Sequence, residues 1–430
     1  MALFYSIASF GSKPTTAIWL AYSMNLCGII IPSYILIRDL FSNRKVTFSI
    51  ISIIFCISTL LLEKSTFSVL QIHADTAAIS FILIGLCFFK NYDFSRSYLS
   101  LFLTSFFLVL AVWAKLPTVL VLIFPILYLL IERRLKESFI FFSAISLTFL
   151  LVSTIFCILY GFSDLHFFVL EFPSGSMWSY RNDLFDGTNA ILLRHSYFEG
   201  IPLLFRFFVM YLGEYWYFLI TTVSLFFVSF KVPIRLKFLS RSISLFSLLT
   251  LPTCLAHLAR FGAVENALIF TNLFAIIGFI ILFVIILNIV FDKNYAFLVV
   301  GALTFLLLLP VVRTAKALPS TTNDSPHQQA FNYLKMGNRD VYFGWYPIAH
   351  LLYSGANYTS IEVPNWVGMN EPSRISFDIS HIPEGAQYIA TSKTGYGSLM
   401  LKQYLGELTE ISSPIELSNW RLYEIELLKK

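Results

Sequence analysis

Residues 63–115 decide how the chain is read. They begin E-K-S-T-F-S-V-L-Q-I-H-A-D-T-A-A-I-S-F-I-L-I-G-L, run through a second apolar stretch and close on W-A-K-L-P-T. A short polar loop carrying His73 and Asp75 opens directly into an apolar run, with almost no spacer. An acid at the mouth of a membrane helix is costly unless it has a partner or a task.

The whole chain has the same character. Its 430 residues are 57% hydrophobic and 13% charged, with a mean hydropathy of +0.74. Soluble domains carry roughly 25% charged residues, so the composition describes a multi-span membrane protein. Forty-five Phe against 7 Trp suit lipid contact and helix packing. They do not suit a nucleic-acid platform, and no nucleic-acid partner is expected. All five Cys (Cys27, Cys56, Cys87, Cys157, Cys254) fall inside apolar runs. Neither a disulfide framework nor metal-ligand spacing is present, so they read as small apolar packing residues. The first fifteen residues show no basic segment followed by a long apolar one, as a cleavable signal would.

Ten apolar runs approach or reach spanning length, about 17–25 residues. They lie near 17–38, 46–62, 74–92, 97–114, 117–132, 138–160, 210–230, 241–259, 266–291 and 296–313. The expected fold is therefore a multi-span α-helical membrane domain of about ten transmembrane helices, over 1–319. The short run 117–132 follows its neighbour closely and reads as part of a helical hairpin or as a re-entrant segment. Basic residues occupy alternate loops: Arg38, Arg44 and Lys45; Lys90 and Arg96; Arg133, Arg134 and Lys136; Lys231, Arg235, Lys237 and Arg241; then Lys293. Those loops should be cytoplasmic. Loops 63–75, 115–117, 161–209 and 260–265, and everything after 314, are then external, as is the N-terminus.

The external loop 161–209 is long and rich in interleaved aromatics, which fits short helices lying in the interface. Residues 320–430 are polar and punctuated by Pro, Gly, Asn and Ser. They read as a small external α/β domain. Helices are expected at 326–336, 346–355 and near 397–406, and strands at 340–345, 386–391 and 420–425. It has no glycine-rich phosphate loop opening a helix.

The chemistry-bearing residues crowd the external side, as do all seven His. Asp75, His73 and Glu63 surround one short loop. They could bind a divalent cation such as magnesium or manganese through oxygen ligands, or one could act as a general base. Alternatively Asp75 caps its helix. Lys115, between two spans, either meets a phosphate as a point charge or snorkels to the interface. A second knot, H-L-A-R-F-G-A-V-E-N, holds His257, Arg260, Glu265 and Asn266. Arg260 is a candidate phosphate ligand or a partner for Glu265. Arg194 and His195 belong to a third polar group in the long loop, with Arg181, Asp183 and Asp186.

The segment Q-I-H-A-D-T-A-A-I-S-F-I-L-I-G-L-C-F-F-K resembles the H/S-x-D-x-x-x-x-F segment of GT-C membrane glycosyltransferases. These include the protein O-mannosyltransferase-like and aminoarabinose-transferase-like families. W-A-K-L-P-T-V-L-V-L-I-F-P-I-L-Y-L-L-I-E-R-R is similar to their lysine-containing span, and L-A-H-L-A-R-F-G-A-V-E-N to a Gly-x-x-x-Asn element of bacterial members. The resemblance implies a polyprenyl-phosphate sugar as donor, a lipid, glycan or protein as acceptor, and transfer on the outer face of a bacterial plasma membrane. It implies His73 in support of a catalytic Asp75, with Asp75 and Glu63 at the metal. Lys115, Arg260, His257, Glu265, Asn266 and Arg194 would bind substrate. The family's base lies in a first external loop after an initial span. Residues 4–20 here resemble the start of the family's second span, so Asp75 matches the second acidic position. The implied alternatives are an enzyme whose first span precedes Met1 and a copy lacking its base. A reading from another class is a non-catalytic membrane protein of polysaccharide assembly or transport with a glycan-binding outer domain.

Overall fold

The computed structural model describes residues 14–37, 74–166, 169, 178–180, 191–193, 197–259, 265–290, 326–337, 340–343, 348–354, 385–392, 408–412, 417–418 and 420–425. The chain divides into two compact units, one of residues 24–317 and one of residues 318–430 with 1–23. It is mostly helical with a small sheet.

Among the described residues, four helices are long and apolar enough to cross a membrane: Ala74–Ser95, Leu135–Leu159, Pro202–Val228 and Leu236–Leu258. Four shorter apolar helical stretches accompany them: Cys27–Leu36, Tyr98–Ala114, Leu116–Ile131 and Ile269–Phe283. These apolar helices fit a membrane protein. The expected spans 46–62 and 296–313 lie outside the described residues.

The unit of residues 24–317 is built from the part of α1 (Pro14–Ile37) after Ser23, α2 (Ala74–Ser95), α3 (Tyr98–Ala114), a 3-10 helix (Leu116–Ile123) that runs into α4 (Phe124–Ile131), and α5 (Leu135–Tyr160). After the short α6 (Phe162–His166) come α7 (Tyr197–Val228), α8 (Ile234–Leu258), a second 3-10 turn (Glu265–Leu268) and α9 (Ile269–Val290). Helix α2 is central. It buries every residue from Asp75 to Ser80 and, from Ile82 onward, chiefly one face with Ile82, Leu83, Leu86, Phe89 and Tyr92. Phe89 at its core meets the rings of Phe124, Tyr128 and Phe141 edge-on, at 5.2, 5.2 and 5.3 Å. The close approach of α1 depends on Gly28, where a Cβ would lie 2.8 Å from Ser80 Oγ. Lys90 of α2 donates to the carbonyls of Ile35 and Leu36 at the C-terminal end of α1, 3.2 and 3.4 Å away. Helix α5 is peripheral, with Phe139, Leu147, Leu150 and Ile158 exposed, as a lipid-facing helix would be.

The two ends of this bundle carry different chemistry. Asp75 and Asp93 lie at opposite ends of α2, eighteen residues apart. That is about 27 Å of helix, close to the roughly 30 Å of a bilayer's hydrocarbon core. At the Asp93 end, three helix junctions are stitched together by ion pairs. Arg134 bonds both Asp93 and Glu137, Arg96 bonds Glu137, and Glu132 bonds both Lys237 and Arg241. Two of the junctions place an arginine in the left-handed region, Arg96 at φ 58° and Arg133 at φ 59°. The sequence assigned Arg241 to a loop; it lies instead inside α8, 1% exposed, with its guanidinium 4.4 Å from the Phe230 ring. A charge there is tolerable because Glu132 neutralises it and Phe230 stacks on it.

The loop expected over 161–209 is also shorter than expected, because α7 begins at Tyr197. Pro202 interrupts the hydropathy and lies inside α7, in its second turn, where it removes one intrahelical N–H donor. Within the former loop, β1 (Trp178–Tyr180) and β2 (Ile191–Leu193) pair antiparallel.

In the second unit, α10 (Pro326–Lys335), β3 (Val341–Tyr342), α11 (Ile348–Ser354), β4 (Tyr388–Ser392) and β6 (Trp420–Ile425) overlap the expected elements. The strand β5 (Leu408–Ile411) was not expected, and 397–406 lies outside the described residues. The sheet order is β3-β4-β6-β5. Strands β3 and β4 are parallel and the other pairs antiparallel. Phe331, Leu334, Phe343, Trp420 and Leu422 form the core beneath it.

Candidate functional site

At the end of the bundle opposite the ion-pair lattice, Lys115 Nζ lies 3.0 Å from Asp75 Oδ1. The Asp75 side chain is fully buried and that of Lys115 is 17% exposed. The chain arranges this through a helical hairpin. Helix α2 runs away from Asp75, and α3 returns and stops at Lys115, the single extended residue between α3 and the 3-10 helix (φ −152°, ψ 106°). Pro117 explains the stop: with no N–H and a ring that would clash with the Trp113 carbonyl it cannot continue α3, and it lies at the start of the 3-10 helix, where proline is favoured.

Asp75 sits within the first turn of α2. There its carboxylate lies inside the helix, near the positive end of the helix dipole, and not at an N-cap position. Lys115 does not snorkel outward; its ammonium turns into the bundle. An ammonium carries three donors, and among the described residues only Asp75 stands in ion-pair range of this one, which leaves two donors for a further anion.

The buried surroundings are polar. Cys254, fully buried on α8, lies within electrostatic range of both Asp75 and Lys115. From α7, Tyr211 donates to Asn272 Oδ1 of α9 at 3.2 Å; both residues are 1% exposed. Deeper, Thr222, Ser247 and Thr271 link α7, α8 and α9. The Thr222 and Ser247 hydroxyls are 3.2 Å apart, Ser247 Oγ donates to the Thr271 carbonyl at 3.1 Å, and Thr271 Oγ1 donates to the Ser247 carbonyl at 3.0 Å. Sequence reasoning passed over Tyr211, Asn272 and Thr118. Asn272 alone carried a visible signal, as an amide within an apolar run.

The structure thus brings together Asp75 and Lys115. His257 lies in the last turn of α8, one turn beyond Cys254 and at the same end of the bundle. The backbone of Glu265 and Asn266 forms the 3-10 turn that opens α9. His73, Glu63, Arg260 and Arg194, and with them the Arg260–Glu265 pairing, lie outside the described residues. A divalent cation finds a poor donor set in what is described. Asp75 supplies one carboxylate, an ammonium already stands against it, and no cluster of three His, Cys, Asp or Glu side chains occurs among the described residues. No chemical step is derived through such an ion.

Compared with protein-family models, curated proteins and solved structures, the chain matches none.

Proposed function

We propose that the protein is an integral membrane glycosyltransferase of the GT-C type, with ten spans in a bacterial plasma membrane and residues 320–430 on the periplasmic side. It moves a sugar from a polyprenyl-phosphate carrier to a lipid, glycan or protein acceptor. The observation that carries this reading is the buried Asp75–Lys115 pair. It joins the two residues singled out in the sequence from opposite ends of one stretch. It lies about one hydrocarbon thickness from the ion-pair lattice, which supports a position near the membrane surface, at the level of a lipid-borne phosphate.

In this reading the two free donors of Lys115 hold the donor phosphate, and Asp75 keeps the ammonium charged and aimed. The acceptor oxygen forms a bond to the sugar's anomeric carbon as the bond from that carbon to the phosphate oxygen breaks. The acceptor proton passes to a base, and polyprenyl phosphate leaves carrying the electron pair. A preorganised cation at the leaving phosphate is the largest contribution such a site can make. His73, His257, Arg260, Glu265, Asn266 and Arg194 remain proposed substrate contacts.

The test is sugar transfer in proteoliposomes holding the full-length protein and a labelled polyprenyl-phosphate sugar. Wild-type protein should release polyprenyl phosphate and label the acceptor. Lys115→Met and Asp75→Asn should each lower turnover by about 100-fold or more. Sugar binding without turnover by the wild-type protein would replace this reading with the non-catalytic one of polysaccharide assembly or transport.

A further inference from the structure

Lysine is a flexible side chain with a point charge, and its aim depends on how firmly its backbone is held. Lys115 is held from both sides. Its N–H donates to the Ala111 carbonyl at 2.9 Å and so closes the last turn of α3. Its carbonyl accepts twice from one residue, from the Thr118 N–H at 3.0 Å and from Thr118 Oγ1 at 2.8 Å. Thr118 is fully buried. The backbone bond belongs to the 3-10 turn and any residue would make it. The hydroxyl bond needs serine or threonine, and a side chain without the hydroxyl would leave that carbonyl with one partner.

We propose that Thr118 is the positioning residue of the site. Through its hydroxyl it fixes the one extended residue between two helices, so that the Lys115 ammonium stands against Asp75 and presents its remaining donors to an anion. The anion's chemical class, a phosphate monoester or diester, rests on the transferase reading; the hold on Lys115 does not. Position matters because a misplacement of about 1 Å at a reacting group can cost on the order of 100-fold in rate.

The experiment compares wild-type protein, Thr118→Ser and Thr118→Val, all full-length and in membranes. The first readout is the rate at which a membrane-permeant amine reagent modifies Lys115, followed by mass spectrometry. The buried, paired amine should react slowly in wild type and Thr118→Ser, and about 10-fold faster in Thr118→Val. The second readout is transfer from the polyprenyl-phosphate sugar. Thr118→Val should raise KM for the donor about 10-fold, with Thr118→Ser close to wild type. Should Thr118→Val not fold, Thr118→Ala carries the same comparison. Equal labelling of Lys115 in the wild-type and valine proteins overturns the proposal. So does a serine variant that behaves as the valine does, because packing and not the hydroxyl would then be responsible. If no variant transfers sugar yet the labelling pattern holds, the positioning role stands and the transferase reading falls.

Discussion

Breaking the Asp75–Lys115 pair from one side should be far worse than removing it whole. Lys115→Met leaves a carboxylate whose side chain is fully buried without its counter-charge. Removal of one partner of a buried pair costs about 3–5 kcal/mol. Asp75→Leu should cost less, because Lys115 is 17% exposed and its long stem can carry the ammonium toward the interface. The double variant removes both charges at once, and replacing a buried ion pair by apolar groups of similar volume is often neutral. It should fall within about 1 kcal/mol of wild type. The coupling between the two sites is then at least about 2–4 kcal/mol, at or beyond the upper end of the range for groups in direct contact. Equilibrium unfolding of the four proteins in mixed micelles, from both directions, measures it. The coupling should also survive added salt, since screening acts mainly on exposed charges. Single losses that simply add, with a coupling under about 0.5 kcal/mol, would show that the two groups do not act as a unit, and the site built on them would fall.

Two further perturbations probe the scaffold. Gly28→Val drives a side chain into Ser80 Oγ, 2.8 Å from where its Cβ must sit, and should destabilise α1 against α2 by about 1–3 kcal/mol. Gly213→Ala, with nothing within 4 Å, should be tolerated; the same mixed-micelle unfolding checks both. In the second unit, His350 is buried and its Nε2 accepts from the Phe343 N–H at 3.1 Å, and burial pushes its pKa down to about 4. The unfolded chain takes up this proton near pH 6.5 while the folded one does not. Stability is therefore full above that pH and falls as pH drops from about 6.5 toward about 4, by roughly 3 kcal/mol at most. Limited proteolysis of full-length protein between pH 7.5 and 4.5 should show the region 326–425 loosening with acid. The same protection at both ends of that range would refute the argument.

What could be read in the sequence and what could not divide along one physical line. Helix α2, the helical hairpin and the stop at Lys115 follow from local signals: unbroken apolar runs, proline after lysine, and alternating basic loops. Because two helices return the chain to its starting side, the same signals put Asp75 and Lys115 at one end, although they could not say that the two would touch. Arg241 failed because its partner is remote. Glu132, 109 positions earlier, neutralises it, and hydropathy can only treat an arginine as the edge of a span. The start of α7 failed for a related reason. Pro202 and Arg206 depress local hydropathy, while Leu203, Phe207 and Tyr211, spaced one helical turn apart, are buried. Strand β5 is four residues, L-T-E-I, too short for alternation to stand out, and it is specified by its pairing with β6.

The contrast between the two ends of the bundle bears on mechanism as well as on legibility. At the Asp93 end, Asp93, Glu132 and Glu137 are each claimed by basic side chains from other helix junctions. Opening those junctions would break several pairs at once, and Arg241, buried and bound to Glu132, could not follow solvent. At the other end, among the described residues, one ion pair joins α2 to the start of the 3-10 helix, and α7 changes backbone direction at Tyr215 (φ −127°, ψ 22°), one turn after Tyr211. That end is where the proposed chemistry requires a lipid-borne phosphate to enter, and Lys115 can exchange part of its hold on Asp75 for that phosphate without any movement of the lattice.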